Sequence, residues 1–439
     1  MKKKINSNTT YWYLPKQKKY FKKVEALLNQ GYQITDSIHL GVELSKDEKS
    51  HFLTFLPLEE INENFKETWK SKEVTRKLVK PNYEHCFLNT ISSIRAYFNK
   101  EIYYCKDPLM DEILEEKQYK NIIVLLLDGL GENILEEHLK PTDFLRKNHA
   151  YTNTAIFPST TAAATTSIIS GHAPLETGWL GWENYFKECG KNIILFRGTD
   201  YFTDKKTEID AYKLMPYTRF FDDLDVCGKQ IMPDFNWGAD PYISLDKSLK
   251  SLEAGKINVQ YVYCTEPDST MHEFGTDSEE TKKRVCELNQ KVEEYVNALP
   301  SDTLCIITAD HGHTNVTPID FYNCKLLNKM LVHRPANDSR AITFTVKENY
   351  KEEFYHLFKS LFGYAYDIYP SKELIENGFF GPNLNVIHER VPDFLGDFMA
   401  IAKSEYYFNY KNKDSFIMKS QHAGYTLEEM LVPMIICRK

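Results

Sequence analysis

The sequence predicts an α/β protein: a largely parallel central sheet with helices on both faces, carrying a small inserted α/β subdomain. Three observations carry this. A continuous apolar run, Ile122–Leu127, ends in Asp128-Gly129, as a parallel strand covered on both faces does. Similar runs recur at 192–196 (NIILF), 259–264 (VQYVYC), 304–308 (LCIIT) and 430–436 (MLVPMII). Helical segments such as Ser278–Leu299 separate them, and strand–helix alternation is the mark of a parallel sheet.

Around this repeat the chain divides unevenly. Residues 1–115 are rich in Lys, Asn, Tyr and Glu, with helical stretches at Tyr20–Leu28 and Thr68–Leu78 but no recognisable chemistry. They read as an N-terminal extension of unknown role, leaving 116–439 as the main domain. Residues 200–255 and 333–408 interrupt the strand pattern and read as insertions. The second contains strand-like RAITFTVK, helix-like YKEEFYHLFKSLFG and strand-like AYDIYP, a small α/β unit placed to cover the sheet. Aromatic residues in the first, such as Tyr201 and Trp237, are placed to wall a pocket.

The 439 residues carry a formal charge of −8, so no basic surplus exists for wrapping a nucleic acid polymer. An anionic substrate would need local positive charge from another source, such as bound metal. The Ile122–Leu127 run is far shorter than the ~20 residues that cross a bilayer. The N-terminus, MKKKINSNTTYWYLPKQKKYFKK, has no apolar segment behind its basic start, so it reads as a solvated tail, with an anionic surface as its alternative contact. Nine scattered cysteines without a C-x-x-C pair point to reduced thiols in a cytoplasmic protein without a membrane partner.

In open α/β sheets ligands sit outside the carboxyl ends of the strands. The first strand ends at Asp128, whose alternative role is a simple helix cap. The third runs into CTEPDSTMHEFG, where Asp268 and His272 share a face if the segment is helical and can converge if it is a loop. The fourth ends in TADHGHTN, and a turn at Gly312 can bring Asp310 and His311 to one ion. His313 is a third candidate, or a supporting residue behind the ligands. His422 lies just before the last strand. Three carboxylates and three imidazoles at strand ends suit two metal ions with open positions. The stretch FPSTTAAATTSIISG adds hydroxyls before a helix over Ala162–Ser170 closed by Gly171. Thr161 there is either a phosphate-facing nucleophile or an ordinary cap, with Ser159, Thr160 and Thr165 as competitors.

The order of these motifs resembles the alkaline phosphatase superfamily, and most of all its type I phosphodiesterase/nucleotide pyrophosphatase branch, over roughly 120–320 and from 400 onward. The resemblance implies an alkaline phosphatase-like catalytic domain over 116–439. It also implies an enzyme that hydrolyses phosphodiester or pyrophosphate bonds through a covalent phosphothreonine. Asp128, Asp310 and His311 would bind one metal, with Thr161 reaching it, and Asp268, His272 and His422 the other. Thr161 stands ten residues before Gly171, the superfamily's spacing for its nucleophile; Thr160 misses it by one and reads as the helix cap. Asn184 in GWENYF is the nearest match to an Asn that helps hold a phosphoryl oxygen, slightly out of register. Phe157-Pro158 precedes the nucleophile, where many nucleotide pyrophosphatases place Phe-Pro-Asn after it, and no C-x-P-x-R sulfatase signature is present.

The implied cofactors are two divalent ions. Histidine-rich sites favour zinc, and manganese suits the carboxylates. The implied partner is a small phosphoester. Two other readings stand beside this one. A phosphomonoesterase or phosphomutase-like transferase would draw on Arg197, Arg219 or Arg340, and a non-catalytic metal-binding protein would use 1–115 for interactions.

Overall fold

The computed structural model describes residues 1–38, 40–55, 61, 64–70, 78–235, 238–411 and 416–439. The apolar runs read from the sequence build a six-stranded central sheet. Its order is Cys227–Ile231, Asn258–Cys264, Asn121–Leu127, Thr303–Thr308, Leu431–Arg438, His149–Thr154. The first four are parallel. Leu431–Arg438 runs antiparallel to Thr303–Thr308, and His149–Thr154 antiparallel to it in turn.

Period-two alternation sends successive residues of the first strand into different cores. Ile123, Leu125 and Leu127 join a cluster with Val285, Leu288 and Val292 of helix Glu279–Ala298, whose start is capped by the Ser278 hydroxyl. Ile122, Val124 and Leu126 join Phe87, Ile91, Met110 and Ile113. Helices Phe87–Tyr97 and Pro108–Glu115 therefore cover one face of the central sheet, although they precede residue 116. The sheet is covered by helices on both faces, as the sequence predicts.

NIILF departs from its reading as a strand of this sheet. Lys191–Ile194 belongs to a second, seven-stranded antiparallel sheet, ordered Thr199–Asp200, Lys191–Ile194, Glu183–Phe186, Ala336–Asn337, Ala341–Phe344, Phe398–Ala402, Tyr366–Pro370. An apolar run reports burial on both faces, not which sheet supplies it. Here Ala341, Met399 and Ile401 face the main core, while Ile342, Phe344, Ala400 and Ala402 face another. Strands from 183–200 and from 333–408 thus share one sheet. The 200–255 stretch is also more than an addition, because Cys227–Ile231 is the edge strand of the central sheet.

The N-terminal residues are built, not a tail. Lys2–Lys4, Thr9–Tyr13, Lys49–Thr54, Gly41–Lys46 and Gln33–Ile38 form a five-stranded sheet in that order. Helix Lys351–Phe362 lies between this sheet and the second one, with Phe354, Leu357 and Phe358 in a core shared with Val42, Leu44 and Leu53. Helix Gln17–Leu28 covers the Tyr20–Leu28 expectation. Of the expected helix at Thr68–Leu78, residues 65–70 are helical and 71–77 lie outside the described residues, as does Trp237.

Candidate active site

The carboxyl ends of three central strands deliver the acidic residues to one place. Asp128 follows Asn121–Leu127, Asp310 follows Thr303–Thr308, and Asp268 opens helix Asp268–Phe274 after Asn258–Cys264. That helix puts Asp268 and His272 one turn apart, with His272 Nε2 at 3.3 Å from Asp268 Oδ1. His313 Nε2 lies 2.6 Å from the same oxygen and His422 Nε2 3.8 Å from it. His311 Nε2 stands 3.4 Å from Asp128 Oδ1 and 3.6 Å from Asp310 Oδ2. The His311 and His422 rings stack at 3.7 Å.

Two groups result. Asp268, His272, His313 and His422 have ligand atoms within 4.8 Å of one another, and so do Asp128, Asp268 and His311. Asp268 belongs to both, and Asp310 borders the second through His311. His313, read from the sequence as a ligand or a supporting residue, is as deeply placed as the others.

The imidazoles are held from behind. His272 Nδ1 meets Ser420 O at 2.9 Å, His422 Nδ1 meets Ser159 O at 3.1 Å and His311 Nδ1 meets Gly312 O at 3.1 Å. A carbonyl accepts only, so each Nδ1 carries the proton and each Nε2 lone pair faces the carboxylates. The Ser420 hydroxyl donates to Met271 O at 2.6 Å and so accepts from His313 Nδ1 at 3.0 Å. His313 Nε2 then also presents a lone pair to Asp268. Burial pushes His313 down to about 4, so a proton is a poor bridge there.

The charge balance points the same way. Burial, then Asp310 and Asp268, push the Asp128 carboxyl well above its ordinary range. Burial would raise Asp268 too, but N–H donation and positive charge from His272 and His313, when their Nε2 atoms are protonated, hold it well below. A cation would take that part against unprotonated Nε2 atoms. Among the described residues, Asp128 Oδ1 and Asp310 Oδ2 are buried oxygens without a hydrogen-bond partner. The other Asp128 oxygen accepts from Tyr263, and Asp310 Oδ1 accepts Gly129 N at 3.1 Å. Crowded carboxylates, orphaned oxygens and lone pairs aimed inward fit divalent cations.

Thr161 is the first residue of helix Thr161–Ser170, which ends at Gly171 with φ +78°. Its Oγ1 lies 3.3 Å from His311 Nε2. Thr160 was expected to cap the helix, but its hydroxyl makes no cap and donates to Asp338 Oδ2 at 2.8 Å. Ser159 and Thr165 are turned to backbone carbonyls, Gly424 O and Thr161 O.

Thr161, Asp268, His272 and His422 line a cavity of about 590 Å³. Tyr201 from the first insertion and Asp338, Ser339, Tyr407 and Phe408 from the second wall it, together with Trp182, Arg197 and Lys411. Asn184 is not brought to this cavity. It is fully buried, with Nδ2 donating to Asn337 Oδ1 at 3.2 Å, because strand alternation turns Glu183 to the cavity in its place. Of the three arginines, Arg340 is buried against Glu429, Arg219 pairs with Asp222, and Arg197 lines the cavity over the Trp182 ring. Asp338, whose carboxyl burial pushes up to about 6, carries no motif, and its place follows only from the second sheet.

A helix-covered, mainly parallel sheet with carboxylates and imidazoles at its strand ends defines an alkaline phosphatase-like hydrolase. The type I phosphodiesterase / nucleotide pyrophosphatase model matches residues 122–426, more than half of the chain, and the chain belongs to that family of phosphoric ester hydrolases. Among solved structures, murine ectonucleotide pyrophosphatase / phosphodiesterase 5, inactive and in complex with AMP, is 16% identical, with a TM-score of 0.56 over 72% of this chain and 87% of that one. The human protein of that name is 14% identical, with a TM-score of 0.56 over 72% and 87%. Phosphonoacetate hydrolase from Sinorhizobium meliloti, in complex with phosphonoformate, is 14% identical, with a TM-score of 0.54 over 73% and 91%. These likenesses are of fold. No curated protein matches the sequence.

Proposed function

We propose that the chain hydrolyses a phosphodiester or pyrophosphate bond in a small molecule through a covalent phosphothreonine at Thr161. Two divalent cations would be held by Asp128, Asp310 and His311, and by Asp268, His272 and His422, with His313 joining the second group. The observation that carries this reading is the placement of the Thr161 hydroxyl against His311 of one ligand group, on a cavity wall shared with Asp268, His272 and His422 of the other.

When bound, the cations would supply positive charge at the phosphoryl oxygens and lower the pKa of the threonine hydroxyl and of water. The chain's own residues do the rest. Thr161 opens its helix, whose free N–H groups and positive dipole end favour a phosphoryl anion. Its oxygen attacks phosphorus and the leaving alcohol or phosphate departs. Water then cleaves the phosphothreonine, and two inversions give retention at phosphorus. The histidines keep their lone pairs inward because their Nδ1 protons are spent on the backbone and on Ser420.

Four imidazoles favour zinc, while the three carboxylates also suit manganese. Nine free cysteines support a reducing, cytoplasmic setting. A second reading, phosphomonoester hydrolysis, draws support from Arg197 on the cavity wall, since a monoester carries an extra negative charge.

Metal analysis coupled to an ester panel tests the proposal. Up to two transition-metal ions per chain are expected, with bis(p-nitrophenyl) phosphate turned over faster than p-nitrophenyl phosphate and chelation abolishing both. A monoester preference that falls in Arg197→Ala selects the second reading. Full activity after exhaustive chelation removes both.

A further inference from the structure

The first 24 residues hold eight lysines and no acidic residue, in a chain whose net charge is −8. The fold gathers several of these lysines; Lys3, between Lys2 and Lys4, points to the other face, where its Nζ donates to Ile61 O at 2.8 Å. Lys2 pairs with Trp12 and Lys4 with Thr10 across the two outer strands of the N-terminal sheet, so both share a face with the Trp12 ring. Helix Gln17–Leu28 packs on that face through Tyr20, Val24 and Leu27. Lys2 Nζ and Lys23 Nζ lie 4.9 Å and 4.2 Å from the centroid of the same indole. All eight lysines except Lys23 are exposed, and among the described residues none of them pairs with a carboxylate. Lys23 is held below its ordinary value by burial first and by the neighbouring Lys2 second.

Lysines on an edge strand also deter strand pairing, which accounts for Lys2–Lys4. It does not account for Lys18, Lys19, Lys22 and Lys23, which lie on a helix. We propose that this face of the N-terminal sheet is a docking surface for an anionic lipid membrane. The lysines spread over a strand and a 12-residue helix, an extent suited to many headgroups and not to one phosphate. Residues 1–54 contain ten lysines and no arginine. Lysine is a point charge suited to a diffuse anionic layer, whereas forked phosphate and base contacts favour arginine. Trp12, the ring at the centre, is unavailable for base stacking: lysine ammoniums lie over it and its N–H donates to His51 Nδ1 at 3.1 Å. The surface is separate from the cavity, so it does not depend on the phosphoesterase reading.

Co-sedimentation of the metal-loaded full chain with vesicles tests this. Vesicles of equal parts phosphatidylserine and phosphatidylcholine should pellet roughly tenfold more protein than pure phosphatidylcholine at low salt, and roughly 0.5 M salt should release it. Lys19→Glu with Lys23→Glu should lower binding about tenfold. The exposed pair Lys18→Glu with Lys22→Glu guards against local misfolding and should act in the same direction. Both variants should keep the wild-type circular dichroism spectrum and ester hydrolysis rate. Equal pelleting by both vesicle types, pelleting indifferent to salt, or undiminished binding by both variants would overturn the proposal. So would a tighter, salt-sensitive affinity for duplex DNA than for the anionic vesicles.

Discussion

Thr161 and Thr160 are neighbours with different tasks, because the helix start turns one hydroxyl to His311 and the other to Asp338. Thr161→Ala should keep its metal content and fold yet lose about 10³-fold or more in rate if the proposed covalent step runs through this hydroxyl. Thr161→Ser should retain part of the rate. Mass spectrometry of trapped enzyme should find the phosphoryl group on residue 161, and a label on Thr160 or Ser159 would reassign the nucleophile. Asp338 makes a separate prediction about pH. Burial raises its carboxyl to about 6 against partial relief from Thr160 and Ser339, so the folded state holds this proton where the unfolded state has released it. The raised value costs stability as pH climbs through the interval from about 4 to about 6, and the cost is absent below it. In chelated protein, Asp338→Asn should therefore gain on wild type by about 2–3 kcal/mol between those limits. Denaturant unfolding at the two pH values measures it, and a constant difference would show that Asp338 does not titrate there.

The short helix Leu427–Met430 is the element that joins the site loops. Arg340 Nε and Nη2 reach Glu429 at 2.6 and 2.7 Å, both side chains being fully buried. Glu429 also accepts Gly424 N at 2.8 Å, tying in the loop of His422, and its carbonyl accepts Gly312 N at 2.9 Å, tying in the loop of His311. A Cβ on Gly312 would lie 1.9 Å from Glu428 O, so only glycine lets these backbones meet. Glu429→Gln leaves Arg340 buried and uncompensated, and should cost about 3–5 kcal/mol and weaken metal binding. Replacing both partners by apolar residues should cost less. Unfolding curves and metal titrations of the single and double variants check this order; equal costs would mean that the pair acts by volume and not by charge. None of this was legible in the sequence, where Arg340 is one arginine among several and Glu429 one of two adjacent glutamates.

At the scale of the whole molecule, an acidic chain concentrates carboxylates at the ends of three strands and, among the described residues, leaves two of their oxygens without a hydrogen-bond partner. Cations binding only the folded state stabilise it by mass action, about 4 kcal/mol at a thousandfold excess over Kd. Thermal unfolding with and without chelator should show a lower midpoint in the chelated protein and a midpoint that rises with metal concentration. A midpoint indifferent to both would separate these residues from metal binding. The layered build has its own consequence. Helix Lys351–Phe362 is shared by two sheets, so the N-terminal sheet and the 333–408 segment form one packed unit.

Periodicity and motif order were enough to read most of the central sheet and to name most of the side chains that it brings together. Strand ends place all three carboxylates, because a buried strand must be covered and polar residues collect at the open end of the sheet: Asp128 directly follows Asn121–Leu127, while Asp310 and Asp268 lie two and four residues past their strands. His272 follows from one helical turn, and the distance from Thr161 to Gly171 from one helix length. Tertiary structure decided the rest. NIILF has the burial of a central strand, but the hydrogen bonds of the second sheet claim it. Asn184 and Glu183 differ by one residue, and the face of a strand chose Glu183 for the cavity. Asp338 arrives from far along the chain through that same sheet, and the N-terminal lysines become a surface only when strand and helix meet at Trp12. The physical reason is common to all four. Local pattern reports that a side chain is buried or exposed, whereas its partner across space depends on sheet register and layer packing, which no local pattern encodes.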